Sequence, residues 1–407
     1  MPVKILALCH YYPPEVNAPA SRLSEHARIW REAGHDVTVV TCAPNHPAGH
    51  LYRGYRNRLW QEETIDGVRV IRLWTFLAAN EGFLPRSANY LSYLFSLLFW
   101  IWRLPRADVV MSTSPQFFCG IAGWFLQRRQ RPWVLEIRDL WPESIITVGA
   151  MKRGATIRAL EQIEAFAYRK ADLVVSVTEG FVPHIRARRP EGPIAVIKNG
   201  VDLSHFTRDP VAADAFRAQH GLTGKFVASY VGTHGMAHGL EVAIAAAERV
   251  RERTDIAFLM VGGGAERERI KTLRDAKDLT NIVMLDQLPK PAMPAVWGAS
   301  DVALVILKRV ETFKTVIPSK MFEAMALGVP MILGVEGEAK TLMEDGGAGI
   351  AITPEDDAEL AAAILRLADD RALGRQIGAS AQAFVREQFD REKLARAYLA
   401  EFEALRR

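Results

Sequence analysis

The sequence predicts two doubly wound α/β domains, and three observations carry that prediction. Short apolar runs alternate with helical stretches in both halves, the rhythm of a parallel sheet fed by crossover helices. The chain has 407 residues, so two or more domains are expected. It shows no internal repeat of the kind that builds solenoids or propellers. Apolar residues make up 49% and charged residues 24%, an ordinary balance for a soluble globular protein.

Charge and cysteine usage narrow the class. The net charge is +4, but it is +7 up to Phe206 and −3 beyond it. The first half is therefore the face expected toward an anionic partner. Nucleic acid is not the expected partner, because the basic residues are scattered among apolar helices. Cys9, Cys42 and Cys119 are odd in number and have no CxxC spacing, so reduced, buried thiols in a cytosolic protein are expected. The apolar run Ile5 to Cys9 is too short for a signal-peptide core and reads as a first buried strand.

In the first half, strands are expected at 3–9, 36–41, 68–73, 108–112, 133–137, 173–177 and 194–197. The loop from His10 to Ala20 enters a helix that ends near Gly34, capped by Asn17 or Ser21. Arg22 lies in its first turn, facing either a ligand or solvent. Residues 43–67, rich in His, Arg, Tyr and Asn, read as a long irregular insertion of functional character. Tyr90 to Trp102 is an apolar, aromatic run flanked by Arg86, Arg103 and Arg106. It is far shorter than the roughly 20 residues that span a bilayer. Either it is a core helix, or residues 86–106 lie in a membrane interface with arginines on anionic lipid. The fifth of these strands ends in Arg138-Asp139-Leu140-Trp141-Pro142-Glu143. Ligands of open α/β sheets collect beyond the carboxyl ends of strands, so Asp139 is expected to face a substrate. Arg138 either joins it there or holds the turn in a local pair. A helix over 152–170 follows. Glu179, after the next strand, faces a ligand or starts a helix, where an acid is favoured. Lys198-Asn199-Gly200-Val201-Asp202 is a turn that Asn199 and Asp202 can tie.

In the second half, strands are expected at 226–231, 258–261, 282–285, 302–306, 329–333 and 348–352. The loop Gly232-Thr233-His234-Gly235-Met236-Ala237-His238-Gly239 can bring backbone N–H groups to phosphate oxygens. No Lys or Arg occurs there, so His234 and His238 are its only cationic candidates. They lack the carboxylate company of a metal site. Gly262-Gly263-Gly264 follows a strand but is not the Gly-x-Gly-x-x-Gly fingerprint. The stretch Pro318 to Pro330 reads as loop, short helix and strand. Ser319 is the candidate N-cap, Lys320 puts a full charge at the helix start, and Glu323 sits one turn in. Diphosphate at the helix start and ribose beside Glu323 fit that arrangement. Lys314 is a second candidate counter-charge. Helices over 355–369, 371–389 and 390–407 close the chain.

The Pro318–Pro330 block, together with Lys198–Asp202 and Phe226–Leu240, resembles retaining, family-4-type glycosyltransferases of GT-B fold. The Pro-Ser-Lys version and the Asp-Leu-Trp-Pro-Glu run resemble a subgroup that transfers N-acetyl-L-fucosamine or a related sugar to cell-surface polysaccharide intermediates. The resemblance implies two Rossmann-like domains with a cleft between them. Residues 1–203 would take the acceptor, 204–385 the UDP-sugar, and helix 386–407 would cross back to the first domain. It implies donor contacts from Gly232, Thr233, Gly235, His238, Gly262, Gly263, Leu288, Lys314, Ser319 and Glu323. Asp139, Lys320 and His234 would carry catalysis, and Asn17, Arg22, Arg138 and Glu179 would line the acceptor side.

It also implies front-face substitution with no enzyme nucleophile, no metal and no cofactor, the UDP-sugar being a substrate. The implied acceptor is a saccharide, preferably lipid-linked, in O-antigen, capsule or exopolysaccharide synthesis. The implied location is cytoplasmic, peripheral on the inner face of the cell membrane. Three departures stand out: Ala18-Pro19-Ala20 replaces a usual Gly-Gly pair, the Gly232 loop lacks the usual Arg and Lys, and Thr315 occupies the place of a usual glutamate. Two other readings remain: a UDP-N-acetylglucosamine 2-epimerase, which would bury Tyr90 to Trp102 wholly, and a non-catalytic UDP-sugar-binding scaffold.

Overall fold

A computed structural model describes residues 2–79, 83–114, 116–127, 131–147, 149 and 151–406. The chain divides into two compact units, Met1–Lys198 with Arg391–Arg407, and Asn199–Asp390. The divide falls before the expected 203. The Val201 N–H bonds the Phe389 carbonyl at 3.0 Å, and Val201 bridges Asp390, so the turn belongs to the second unit.

The first unit holds β1 (Lys4–Leu8), β2 (Asp36–Cys42), β3 (Trp60–Ile65), β4 (Val68–Leu73), β5 (Val109–Thr113), β6 (Trp133–Ile137), β7 (Leu173–Ser176) and β8 (Ile194–Val196). Their order is β3-β4-β2-β1-β5-β6-β7-β8, parallel except for β3 against β4. The second holds β9 (Phe226–Val231), β10 (Ile256–Val261), β11 (Ile282–Leu285), β12 (Val302–Ile306), β13 (Met331–Gly334) and β14 (Gly349–Ala351). These run parallel in the order β11-β10-β9-β12-β13-β14. Each sheet reverses its strand order at one point, between β1 and β5 and between β9 and β12. The carboxyl ends there are where such sheets bind ligands. The central strands β1, β5, β6, β9, β10 and β12 are apolar almost throughout because helices cover both faces.

The insertion at 43–67 is not wholly irregular. β3 lies inside it and forms a hairpin with β4 through Asp66 and Gly67, both at positive φ. Asp-Gly is a strong hairpin signal, but Glu62 and Glu63, which pair with Arg69 and Arg72 of β4, break the apolar run that marks a strand. All three cysteines are free and buried. In the first unit the helix Arg391–Leu405 packs on the helix Ala18–Glu32: the Trp30 indole donates to the Ala395 carbonyl at 2.8 Å, and the Trp30, Tyr398 and Phe402 rings stack edgewise or tilted.

The run from Tyr90 to Trp102 is both core and surface. As far as Trp100 it belongs to a helix, Phe83–Trp100, that begins earlier than the run, and Ile101 and Trp102 lie in the turn after it. Tyr93 and Leu97 are fully buried and Tyr90 nearly so, while Leu84, Phe95, Phe99 and Trp102 are 65–77% exposed. Residues 86, 89, 90, 93 and 97 share one helical face; 84, 95 and 99 share the opposite one. Leu97 therefore cannot meet a membrane. Among the described residues no helix is long and apolar enough to cross one.

Candidate active site

In the second unit, the carboxyl ends of β9, β10 and β12 gather one cluster. The backbone folds it by close approach of two glycine loops. A Cβ on Gly262 (φ +150°) would lie 1.8 Å from the Gly232 carbonyl oxygen, and one on Gly264 would lie 2.6 Å from that of His234. The His234 N–H is consumed by the Gly263 carbonyl at 2.8 Å, and the Gly232 N–H by that of Val261. Gly262 thus holds the loop together; it was expected to touch the donor. The N–H groups of Thr233 and Gly235 have no partner among the described residues.

Lys320 opens the helix Lys320–Ala326 and is drawn into this cluster. Its Nζ sits 3.5 Å from the centre of the Tyr230 ring and, among the described residues, donates to no hydrogen-bond partner. Burial pushes its pKa down to about 7, opposed by the nearby Glu323 charge. His234 and His238 lie against the same tyrosine ring, with centroids 5.6 and 5.9 Å away. Both His234 ring nitrogens and Nδ1 of His238 are buried without partners. Burial, then the Lys320 charge, lowers His234 to about 4 and His238 to about 3. Both are neutral at pH 7, which leaves Lys320, in the middle of its own titration there, as the cluster's source of positive charge. A buried ammonium with no hydrogen-bond acceptor is costly, and an incoming anion would relieve that cost.

Glu323 stands one turn further on, and the buried Trp297 indole donates to its Oε2 at 3.1 Å. Trp297 and Tyr230 position the two charged groups, and neither was singled out from sequence. Ser319 is not the N-cap expected: its backbone is already helical and its side chain caps nothing. The N–H groups of Met321 and Phe322 turn to the Pro318 and Ser319 carbonyls, so they are not available to an anion. Lys314 is no spare counter-charge either, since it pairs with Glu311 at 2.7 Å and Glu336 at 3.5 Å. Thr315 Oγ donates locally to the Thr312 carbonyl. Leu288 is half-buried against the second unit's core.

In the first unit the expected acceptor residues divide. Asn17 caps its helix, accepting from the Ala20 N–H at 2.9 Å, while its amide nitrogen is buried without a partner. Arg22 does not face a ligand. It is 1% exposed, its Nε donates to Glu136 at 3.0 Å, and its two terminal nitrogens donate to the Lys198 and Ile197 carbonyls. Arg138 likewise turns inward, toward Glu136 at 4.0 Å, not toward Asp139. Burial alone would raise Glu136, yet the Arg22 and Arg138 charges hold it below the ordinary range. Asp139 is drawn inward, its pKa pushed up to about 6 by burial against bonds from Ser144 and the Leu140 backbone. It lines a mostly apolar pocket with Phe117, Trp141 and Tyr168. Glu179 is exposed in the short turn after β7.

Comparison with known proteins agrees across both units. Residues 17–200 match a glycosyl transferase 4-like domain and residues 225–370 match glycosyl transferases group 1. A protein of Escherichia coli (strain K12) named as a colanic acid biosynthesis glycosyl transferase, WcaI, is 24% identical over 375 residues, covering 89% of this chain and 91% of that one. Among solved structures, a sucrose-phosphate synthase from Thermosynechococcus elongatus superposes with a TM-score of 0.78 at 19% identity, covering 98% of both chains. Anabaena HepE in complex with UDP and glucose superposes with a TM-score of 0.73 at 18% identity, covering 99% of this chain and all of that one.

Proposed function

From the premise that this chain belongs to the glycosyltransferases of GT-B fold, a 4-like domain followed by a group 1 domain, we propose that it transfers a 2-acetamido sugar such as N-acetyl-L-fucosamine from a UDP-sugar to a lipid-linked saccharide in polysaccharide synthesis. One observation carries the donor half: a buried, unpartnered Lys320 ammonium one helical turn from a tethered Glu323. Lys320 would meet the diphosphate as negative charge develops on it, and Glu323 would hold ribose hydroxyls. The bond from the sugar's anomeric carbon to the phosphate oxygen breaks, and the acceptor oxygen bonds to the same face. The acceptor's proton passes to the departing phosphate, so configuration is retained without an enzyme nucleophile or a metal. The colanic acid assignment of the WcaI relative and the UDP bound to the HepE relative support this choice of pathway and nucleotide.

Calorimetric titration tests the donor half. Wild-type protein should bind UDP more tightly than 2′,3′-dideoxy-UDP, and Glu323→Gln should lose about 1–3 kcal/mol for UDP only. Equal losses for both ligands would remove Glu323 from the ribose.

The reading includes docking on a membrane surface. Leu84, Phe95, Phe99 and Trp102 make an exposed apolar strip, with Arg86, Arg103 and Arg106 along its helix and the turn after it. An epimerase would have no use for such a strip, and its exposure favours the transferase. Replacing Leu84, Phe95, Phe99 and Trp102 by serine should lower affinity for phosphatidylglycerol vesicles by about tenfold or more while leaving UDP binding intact. Unchanged vesicle binding by a folded variant would end the membrane reading.

A further inference from the structure

In the second unit one buried side chain meets both parts of the donor cluster. Tyr230 stands at the carboxyl end of β9 and is wholly buried. The Lys320 Nζ lies 3.5 Å from its ring centre, His238 meets the ring edgewise and His234 meets it tilted. Gly232 borders the same ammonium: a Cβ there would come within 3.4 Å of the Lys320 Nζ and Cε. The Tyr230 hydroxyl donates to the Thr233 carbonyl at 2.7 Å. Tyr230 therefore touches the ammonium through its ring and the glycine loop through its hydroxyl.

The groups around Lys320 show what the ring contributes. Glu323, on the same helix, acts on the ammonium through space. His234 and His238 are held neutral, and the Arg267 charge is felt at His234. The loop from Gly232 to Gly239 supplies no Lys or Arg. The phenol is no counter-anion, because burial pushes its pKa far up and its proton is given to the Thr233 carbonyl. Lys320 meets the ring face, whose negative quadrupole attracts a cation. A carboxylate in that place would pair with the ammonium and then stand as a like charge beside an incoming phosphate. A ring face offsets part of the desolvation cost and leaves the full charge for the ligand. The hydroxyl acts separately. It fixes a carbonyl of the loop whose Thr233 and Gly235 N–H groups have no partner among the described residues.

We propose that Tyr230 is the positioning residue of the phosphate site: its ring face holds the Lys320 ammonium without neutralising it, and its hydroxyl sets the Gly232 loop beside that ammonium. The proposal rests on the reading of Lys320 as the diphosphate contact. A ring that only filled the core would serve equally well with its π-electrons withdrawn, whereas a ring that holds a cation would not. The two roles also separate by pH. The ring works by favouring the protonated amine, so weakening it is felt most where Lys320 titrates. Loss of the hydroxyl is felt equally at every pH.

The test places phenylalanine, then monofluoro-, difluoro- and trifluorophenylalanine, at position 230 of the full chain. Fluorine withdraws electron density from the ring face and changes its shape little; thermal unfolding verifies that each variant is folded. Lysines labelled with carbon-13 at Cε report their protonation by NMR in the protein without nucleotide, and the signal missing from Lys320→Ala belongs to Lys320. Tyr230→Phe should leave the Lys320 titration midpoint where wild type has it. Trifluorophenylalanine should lower it by about half a unit to one unit relative to phenylalanine. UDP affinity above pH 7, measured by calorimetry, should fall stepwise along the same series by about three- to tenfold in all. Tyr230→Phe itself should weaken UDP binding by about threefold, alike below and above pH 7, because the Thr233 carbonyl has lost its donor. If trifluorophenylalanine unfolds the protein, the monofluoro and difluoro steps still decide. A Lys320 midpoint that stays put along the fluorinated series overturns the role of the ring, and UDP affinity unchanged by Tyr230→Phe overturns that of the hydroxyl. A midpoint that falls while UDP affinity holds supports the ring's hold on the ammonium and counts against Lys320 as the diphosphate contact, so the two readings fail separately.

Discussion

Lys320→Ala lowers kcat/KM by about a hundred- to a thousandfold, the size expected when one preorganised contact to developing charge is lost. The fold should not suffer. The Nζ has no hydrogen-bond partner among the described residues, and burial has already depressed its pKa to about 7, so removing it relieves a desolvated charge. The same shift fixes a pH signature. The free protein begins to lose the Lys320 proton near pH 7, while a bound diphosphate raises the pKa and restores the proton. UDP affinity should therefore fall as pH rises above 7, by up to about tenfold per unit, and Lys320→Ala should flatten that slope. Stability of the free protein runs the other way. The unfolded lysine keeps its proton to higher pH, so folding gains as pH rises from 7 toward the unfolded value. Steady-state rates across pH, with thermal unfolding beside them, check both. Unchanged kcat/KM in the variant would exclude Lys320 from the reaction.

Arg22→Ala destabilises the first domain by about 3–5 kcal/mol, because it strands a buried carboxylate. Glu136 is 1% exposed and would be left with Thr113 at 3.0 Å and Arg138 at 4.0 Å, while the Ile197 and Lys198 carbonyls lose their donors. Denaturant titration of the first domain's transition measures the loss. UDP binding, which belongs to the other domain, should persist at temperatures where the variant is folded. A variant of normal stability with impaired acceptor kinetics alone would restore the ligand role that the sequence suggested for Arg22.

Arg22 shows where sequence reading stops. Its place in a first helical turn was legible, but its partners lie 114 and about 175 positions away, and no local pattern reports them. The sheets were legible because parallel strands are continuous apolar runs; β4, β6, β9, β11 and β12 fall on the expected residues. β3 escaped because Glu62 and Glu63 interrupt its apolar run, and their partners Arg69 and Arg72 lie on the neighbouring strand. In the donor cluster, Lys320 and Glu323 were legible from one helix start. Tyr230 and Trp297 were not, since each reads as an ordinary core aromatic until its partner in the fold is known.

Product release from a panel of nucleotide sugars tests the central claim most directly. The protein is incubated with UDP-, GDP- and ADP-sugars, each with and without a short-chain lipid-diphosphate saccharide, and the freed nucleotide is measured. The account predicts UDP release from a UDP-2-acetamido sugar, dependent on the acceptor and lost in Lys320→Ala. Release of GDP or ADP in place of UDP, or tight UDP binding with no turnover on any acceptor, would contradict it.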